Sequence, residues 1–226
     1  MHRLAAVPGS SSPGDGVLFI EQPAATAVLL TSADTDLTAL AGQLDRDPSP
    51  LGPGRSLGGL NLAALQHPAV LDHYIRTSLS QSELVIVRLL GGRGHFSYGL
   101  EQLKDWAEAR PERQLMVLSG TAEEEASLVE LGTVPHTLAL ACSRCLREGG
   151  PANWQAVLQS LKAHLNGEPL ELPEPQALAD PQSHDWREEP GPRVGVVLYR
   201  ALLQAGDLAL ADALLAAMRQ AGLAPR

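Results

Sequence analysis

The sequence predicts an α/β fold: a doubly wound, mostly parallel sheet with flanking helices, followed by a linker and the first β–α unit of a second domain. Three observations predict it. Short apolar runs (Ala27–Thr31, Leu84–Leu90, Gln114–Leu118) recur, each followed by a stretch with apolar residues at helical spacing. Val85, Ile86 and Val87 suit a strand buried on both faces, as in a parallel sheet. Gly167–Pro192 is rich in proline and acid with no apolar period, which is a linker composition.

Taken in order, Ala27–Thr31 is the first strand, and Ser32-Ala-Asp-Thr is a cap signal before Leu37–Leu44 at helical spacing. Asp47–Gly59 is dense in turn formers and reads as a loop. A helix is expected around Pro68–Leu79, a strand at Leu84–Leu90 and a helix at Gly99–Ala109. Gln114–Leu118 is the next strand and Glu123–Leu131 the next helix. Two amphipathic helices, Thr137–Arg147 and Pro151–Leu165, then flank Gly149-Gly150, with Pro151 at the first helical position of the second. Beyond the linker, Val194–Tyr199 reads as a fresh strand, and Asp207 as the cap of an apolar helix, Leu208–Met218, closed by Gly222. The domains expected are therefore 1–166, a linker 167–192, and 193–226. A lone β–α unit cannot bury a core, so the last one needs neighbours, and the segment after Gly222-Leu-Ala-Pro should become its next strand.

Chemistry is concentrated where Leu84–Leu90 meets Gly91, Gly92 and Gly94 and then His95, Phe96 and Tyr98. Glycines at a strand end let a ligand approach the backbone, and open α/β sheets bind ligands there. Arg88 interrupts the apolar run; a buried charge needs a partner, so an internal carboxylate is expected. Gly92–Ser97 matches only two of the three glycines of G-x-G-x-x-G, no acidic residue closes the next strand, and Gly-Lys-Ser/Thr occurs nowhere. Dinucleotide binding and ATP hydrolysis by this chain are therefore not expected.

The seven histidines form no pair at metal-ligand spacing, and His67 with Asp72 reads as a helix start. Cys142 and Cys145 are a single C-x-x-C inside a helical run, lacking the second pair of a structural zinc site and the helix N-terminus of a redox motif. They read as inert thiols, and neither metal-binding nor catalytic residues are assigned. A net charge of −9 opposes nucleic acid or an anionic membrane as partner. The start MHRLAAVPG lacks a signal-peptide core and no uncharged stretch approaches the ~20 residues that span a bilayer, so the chain reads as cytoplasmic.

Four segments, RLLGG followed by an aromatic and YGLE, LNLAALQHPAVLDHYIRTSL, LREGGPANW and VGVVLYRALLQAGD, together resemble the N-terminal region of the cobaltochelatase large subunit (CobN type). That family is related to the magnesium chelatase H subunit. The resemblance implies a tetrapyrrole-binding subunit of an ATP-dependent enzyme that inserts cobalt into hydrogenobyrinic acid a,c-diamide in cobalamin biosynthesis, with ATP used by separate AAA+ partner subunits. No cofactor is then expected in this chain, and the isolated chain should be inactive. A tetrapyrrole needs apolar and aromatic walls with a few cationic or amide donors. Arg88, Gly91, Gly92, His95 and Tyr98, with Tyr199 and Arg200 after the later strand, supply those types. Aromatics make up only 4% of the chain, thin for a complete macrocycle pocket, so the chain is expected to contribute at most one wall. The alternatives are a flavodoxin-like or Rossmann-like partner-docking module and the magnesium chelatase counterpart.

Overall fold

The computed structural model describes residues 17–122, 125–178, 184–185 and 187–226. Four strands, β1 (Ala27–Thr31), β2 (Leu57–Asn61), β3 (Leu84–Leu89) and β4 (Gln114–Ser119), form one parallel sheet in the order β2-β1-β3-β4. Alternate side chains separate into two cores, as the period of a strand requires. Val28, Leu30, Val85, Val87, Leu89, Leu115 and Val117 fill one; Ala27, Leu29, Leu84, Ile86, Met116 and Leu118 fill the other. The apolar runs are continuous because both faces are covered.

Helices wind onto both faces. On the first lie α2 (Pro68–Thr77), through Val70, Leu71 and Tyr74, and α3 (Ser97–Glu108), through Leu100, Leu103 and Trp106. On the second lie α1 (Asp34–Arg46), α5 (His136–Glu148) and α6 (Pro151–Asn166). The short α4 (Glu125–Val129) sends Leu128 into the first core and Val129 into the second. β1 thus lies between β2, reached through α1 on one face, and β3, reached through α2 on the other. The C-terminal ends of β1 and β3 form the switch point of the doubly wound sheet.

Two expectations are corrected. Asp47–Gly59 is not all loop, because Leu57–Asn61 pairs with β1 along its full length. The glycines serve packing: a Cβ on Gly59 would lie 2.9 Å from Leu37 Cδ2 and 3.1 Å from Leu40 Cδ2, so α1 presses directly on the strand backbone. At the other end of the chain, Val194–Tyr199 is not a six-residue strand. Only β5, Arg193–Val194, pairs, with β6, Ala224–Pro225, because that partner is itself two residues long. Arg200–Ala205, overlooked in the sequence, forms a helix, α7, and α8 runs Ala209–Gln220 with Leu208 rather than Asp207 at its N-cap. The parallel partner strand begins within Gly222-Leu-Ala-Pro and not after it: Ala224–Pro225 pairs with β5.

Candidate functional site

The switch point is held shut by polar ties between the ends of β1 and β3. The Ser32 amide donates to the Arg88 carbonyl (3.2 Å), and the Leu90 amide donates to Ser32 Oγ (2.8 Å). Beneath them, the Thr31 hydroxyl donates to Asp36 Oδ2 (2.5 Å) while its oxygen accepts from the Ala33 amide (3.1 Å). Asp36, in the first turn of α1, receives Arg88 Nη1 at 2.6 Å on both oxygens. Arg88 is 5% exposed; its Nη2 donates to the Leu146 carbonyl in the last turn of α5, and its Nε has no hydrogen-bond partner among the described residues. The internal carboxylate expected for Arg88 is therefore Asp36, and the arginine is engaged inside the fold.

Above this layer the chain turns at Gly91, whose φ of +117° places it in a region that side chains avoid. A Cβ there would lie 2.8 Å from His95 Cδ2, so the imidazole rests on the glycine backbone. Gly92 is extended (φ −72°, ψ 172°), and a 3₁₀ turn over Arg93–His95 leads into α3. Phe96 is buried on Gly99 and anchors the turn, and Leu90, His95 and Tyr98 are exposed. The Tyr98 hydroxyl donates to Asp72 Oδ1 (2.8 Å), an interaction that raises the phenol's pKa above its ordinary value. His67 caps α2, its Nδ1 accepting from the Ala69 amide (3.2 Å), as its position before Pro68 suggested.

Gly91, Gly92 and His95 are thus brought together, with Tyr98 one turn beyond. Tyr199 and Arg200 lie elsewhere and not directly after a strand: Tyr199 is the N-cap residue of α7, and Arg200 Nη2 pairs with Glu148 Oε1 (2.8 Å). Asp36 and Ser32 are the site's principal additions. Both stand in a polar run that reads locally as a helix cap, and only the β1–β3 pairing gives them their second role. Among the described residues no group of three or more His, Cys, Asp or Glu side chains could hold a metal ion. Cys142 and Cys145 are fully buried, and burial, with the neighbouring thiol, pushes Cys142 up to about 12. Clefts of about 520 and 250 Å³ lie along α1 and the start of α6, both lined by Gln43, Arg46 and Pro151. No helix among the described residues is long and apolar enough to cross a membrane.

No protein-family model matches the chain. The aerobic cobaltochelatase subunit CobN of Pseudomonas aeruginosa is 31% identical over 222 residues, 92% of this chain and 17% of that subunit. The CobN of a Sinorhizobium species is 28% identical over 246 residues, 99% of this chain and 19% of that one. The catalytic subunit of cobaltochelatase from Mycobacterium tuberculosis superposes with a TM-score of 0.63 at 23% identity, over 90% of this chain and 16% of that structure. In sequence the chain resembles a segment of CobN subunits, and in fold it resembles the Mycobacterium tuberculosis subunit. It spans under a fifth of the length of the relatives it matches.

In this fold the resembling segments touch one another. Asp72 and Tyr98 join the Leu60–Leu79 and Arg88–Glu101 segments. The Gly149-Gly150 pair of LREGGPANW receives α7 of VGVVLYRALLQAGD. Gln204 Nε2 donates to the carbonyls of Arg147 (2.9 Å) and Glu148 (3.1 Å), and the Gly150 amide donates to the Gln204 carbonyl (2.7 Å). A Cβ on Gly149 would lie 2.6 Å from Gln204 Cβ, and the φ of +75° there already excludes most side chains.

Proposed function

We propose that this chain forms an α/β segment, the N-terminal region, of the large subunit of an ATP-dependent cobaltochelatase. In this reading the edge from Leu90 to Tyr98 supplies one wall of the site for hydrogenobyrinic acid a,c-diamide, with cobalt as the second substrate and ATP hydrolysed by AAA+ partner subunits. The observation that carries it is the 31% identity to a CobN subunit across 92% of the chain. The edge supports it chemically. A flat apolar macrocycle with polar substituents calls for apolar and aromatic surface beside a few donors, and the segment beyond β3 carries exposed Leu90, His95 and Tyr98 with His95 against the Gly91 backbone. The chain contributes binding surface; metal insertion needs the rest of the complex, and no cofactor resides in this segment.

The test is binding of hydrogenobyrinic acid a,c-diamide to the isolated chain, followed by its visible absorbance. Weak, saturable binding is expected, and Gly92→Val should abolish it. The φ and ψ of Gly92 suit any residue, so the substitution fills the approach to the backbone without straining the turn. Binding that survives Gly92→Val places the corrin on another surface, and no binding favours a docking role for the segment.

A further inference from the structure

The C-terminal unit shows a conflict between local sequence and surroundings. α8 is apolar on every side apart from Asp212, Arg219 and Gln220. Ala211 and Leu215 are buried, yet Leu210 is 81% and Leu214 43% exposed, and Ala213 and Ala217 extend the same open stripe at i+3 and i+7. A helix apolar all round belongs in an interior. The run Val194–Tyr199 has the composition of a strand buried on both faces, but its ladder ends at Val196, whose amide donates to the Arg226 carbonyl (2.5 Å), and leaves Val197 97% and Tyr199 81% exposed. Parallel sheets occur almost only with both faces covered, and two strands alone are rarely stable.

We propose that Val197, Tyr199 and the Leu210–Ala217 stripe form a docking surface for the polypeptide that surrounds the matched segment in CobN-type subunits. That occupant adds a parallel strand beside β5 and β6, lengthening the ladder through Val197 and Tyr199, and lays apolar side chains on α8. Its size is evident from the relatives, in which the matched segment is only 17–19% of the subunit. A second copy of this chain is disfavoured, since a two-fold contact between identical edges pairs strands antiparallel, against the parallel winding of β5-α7-α8-β6. The inference rests on the CobN-type relationship and not on the corrin reading, and its test contains no corrin.

Val197→Asp and Leu210→Asp are introduced into the chain alone and into a chimera in which the chain replaces the matched segment of the Pseudomonas aeruginosa subunit. The chain alone should keep its melting temperature, because both side chains already face water. In the chimera the same changes should accelerate proteolysis roughly tenfold or more, since a charge would be buried without a partner. In parallel, the Pseudomonas subunit lacking its matched segment is added to the chain labelled with a fluorophore at Leu214→Cys. A saturable emission change that Val197→Asp removes is expected. Equal proteolysis of parent and variant chimeras, no emission change, or self-association of the chain through these residues overturns the proposal.

Discussion

Arg88 and Asp36 hold opposite charges with side chains 7% and 9% exposed, and each completes what the other cannot do alone. Asp36 also takes the Thr31 hydroxyl, so the carboxylate ties the end of β1 to β3 while α1 begins around it. Removing both charges from water is costly and a well-packed apolar pair could fill the same space, but removing one partner leaves a buried, unpaired ion. Asp36→Ala is therefore expected to lower stability by about 3–5 kcal/mol, whereas Asp36→Leu with Arg88→Met should recover most of that loss. Urea unfolding of the three proteins checks this. A double variant as unstable as the single one would assign the cost to lost packing around Asp36 and not to the stranded cation.

At the scale of elements, what was legible in the sequence is what local pattern determines. β1, β3, β4, α5 and α6 follow from apolar runs and helical spacing, and both ends of α5 and α6 fall where Gly and Pro punctuate the chain. β2 was hidden because Gly58 and Gly59 signal a turn, and the true cause of Gly59, the pressure of α1 on the strand, is a tertiary contact. α7 was hidden for the opposite reason: Val194–Tyr199 favours a strand, but a strand exists only where a neighbour pairs with it. At the site, the glycine turn was legible from composition, while Ser32 and Asp36 needed the strand order to acquire a role. α7 lies against α1 and is tied to the end of α5 by Arg200, which pairs with Glu148, and by Gln204, which satisfies two carbonyls that a helix end leaves free. Gln204→Ala should loosen that dock by about 1–2 kcal/mol. Amide hydrogen exchange should then quicken across α7, α8 and β6 while β3 stays protected. Equal quickening in β3 would mean that the last helices and the sheet open as one unit.

For the whole molecule, that exchange experiment divides the chain where its composition changes. Both cores are built from residues between Ala25 and Leu161, with Leu170 and Ala205 packed against the second from outside. The first part of the linker follows α6: Ser160 Oγ donates to the Glu171 carbonyl (3.1 Å), and the Gln176 amide donates to Asn153 Oδ1 (2.8 Å). Further on, Arg219 of α8 reaches back to Asp185 and Glu189, so the last part of the linker belongs with the C-terminal unit. A protease needs an exposed stretch that can be drawn out locally, and the linker offers exposed residues at Glu174, Pro175, Arg187 and Glu188. Limited proteolysis is therefore expected to nick within Gly167–Pro192 and to trim the larger product back to near Leu165. Because that product keeps nearly all of both cores, it should still unfold cooperatively, close to the melting temperature of the intact chain. The smaller product, left with a two-stranded ladder and a helix exposed on one side, should separate from it on size exclusion and unfold. Resistance throughout 167–192, or collapse of the larger product once the smaller one leaves, would instead make α7 and its Gly149-Gly150 seat an integral part of a single domain.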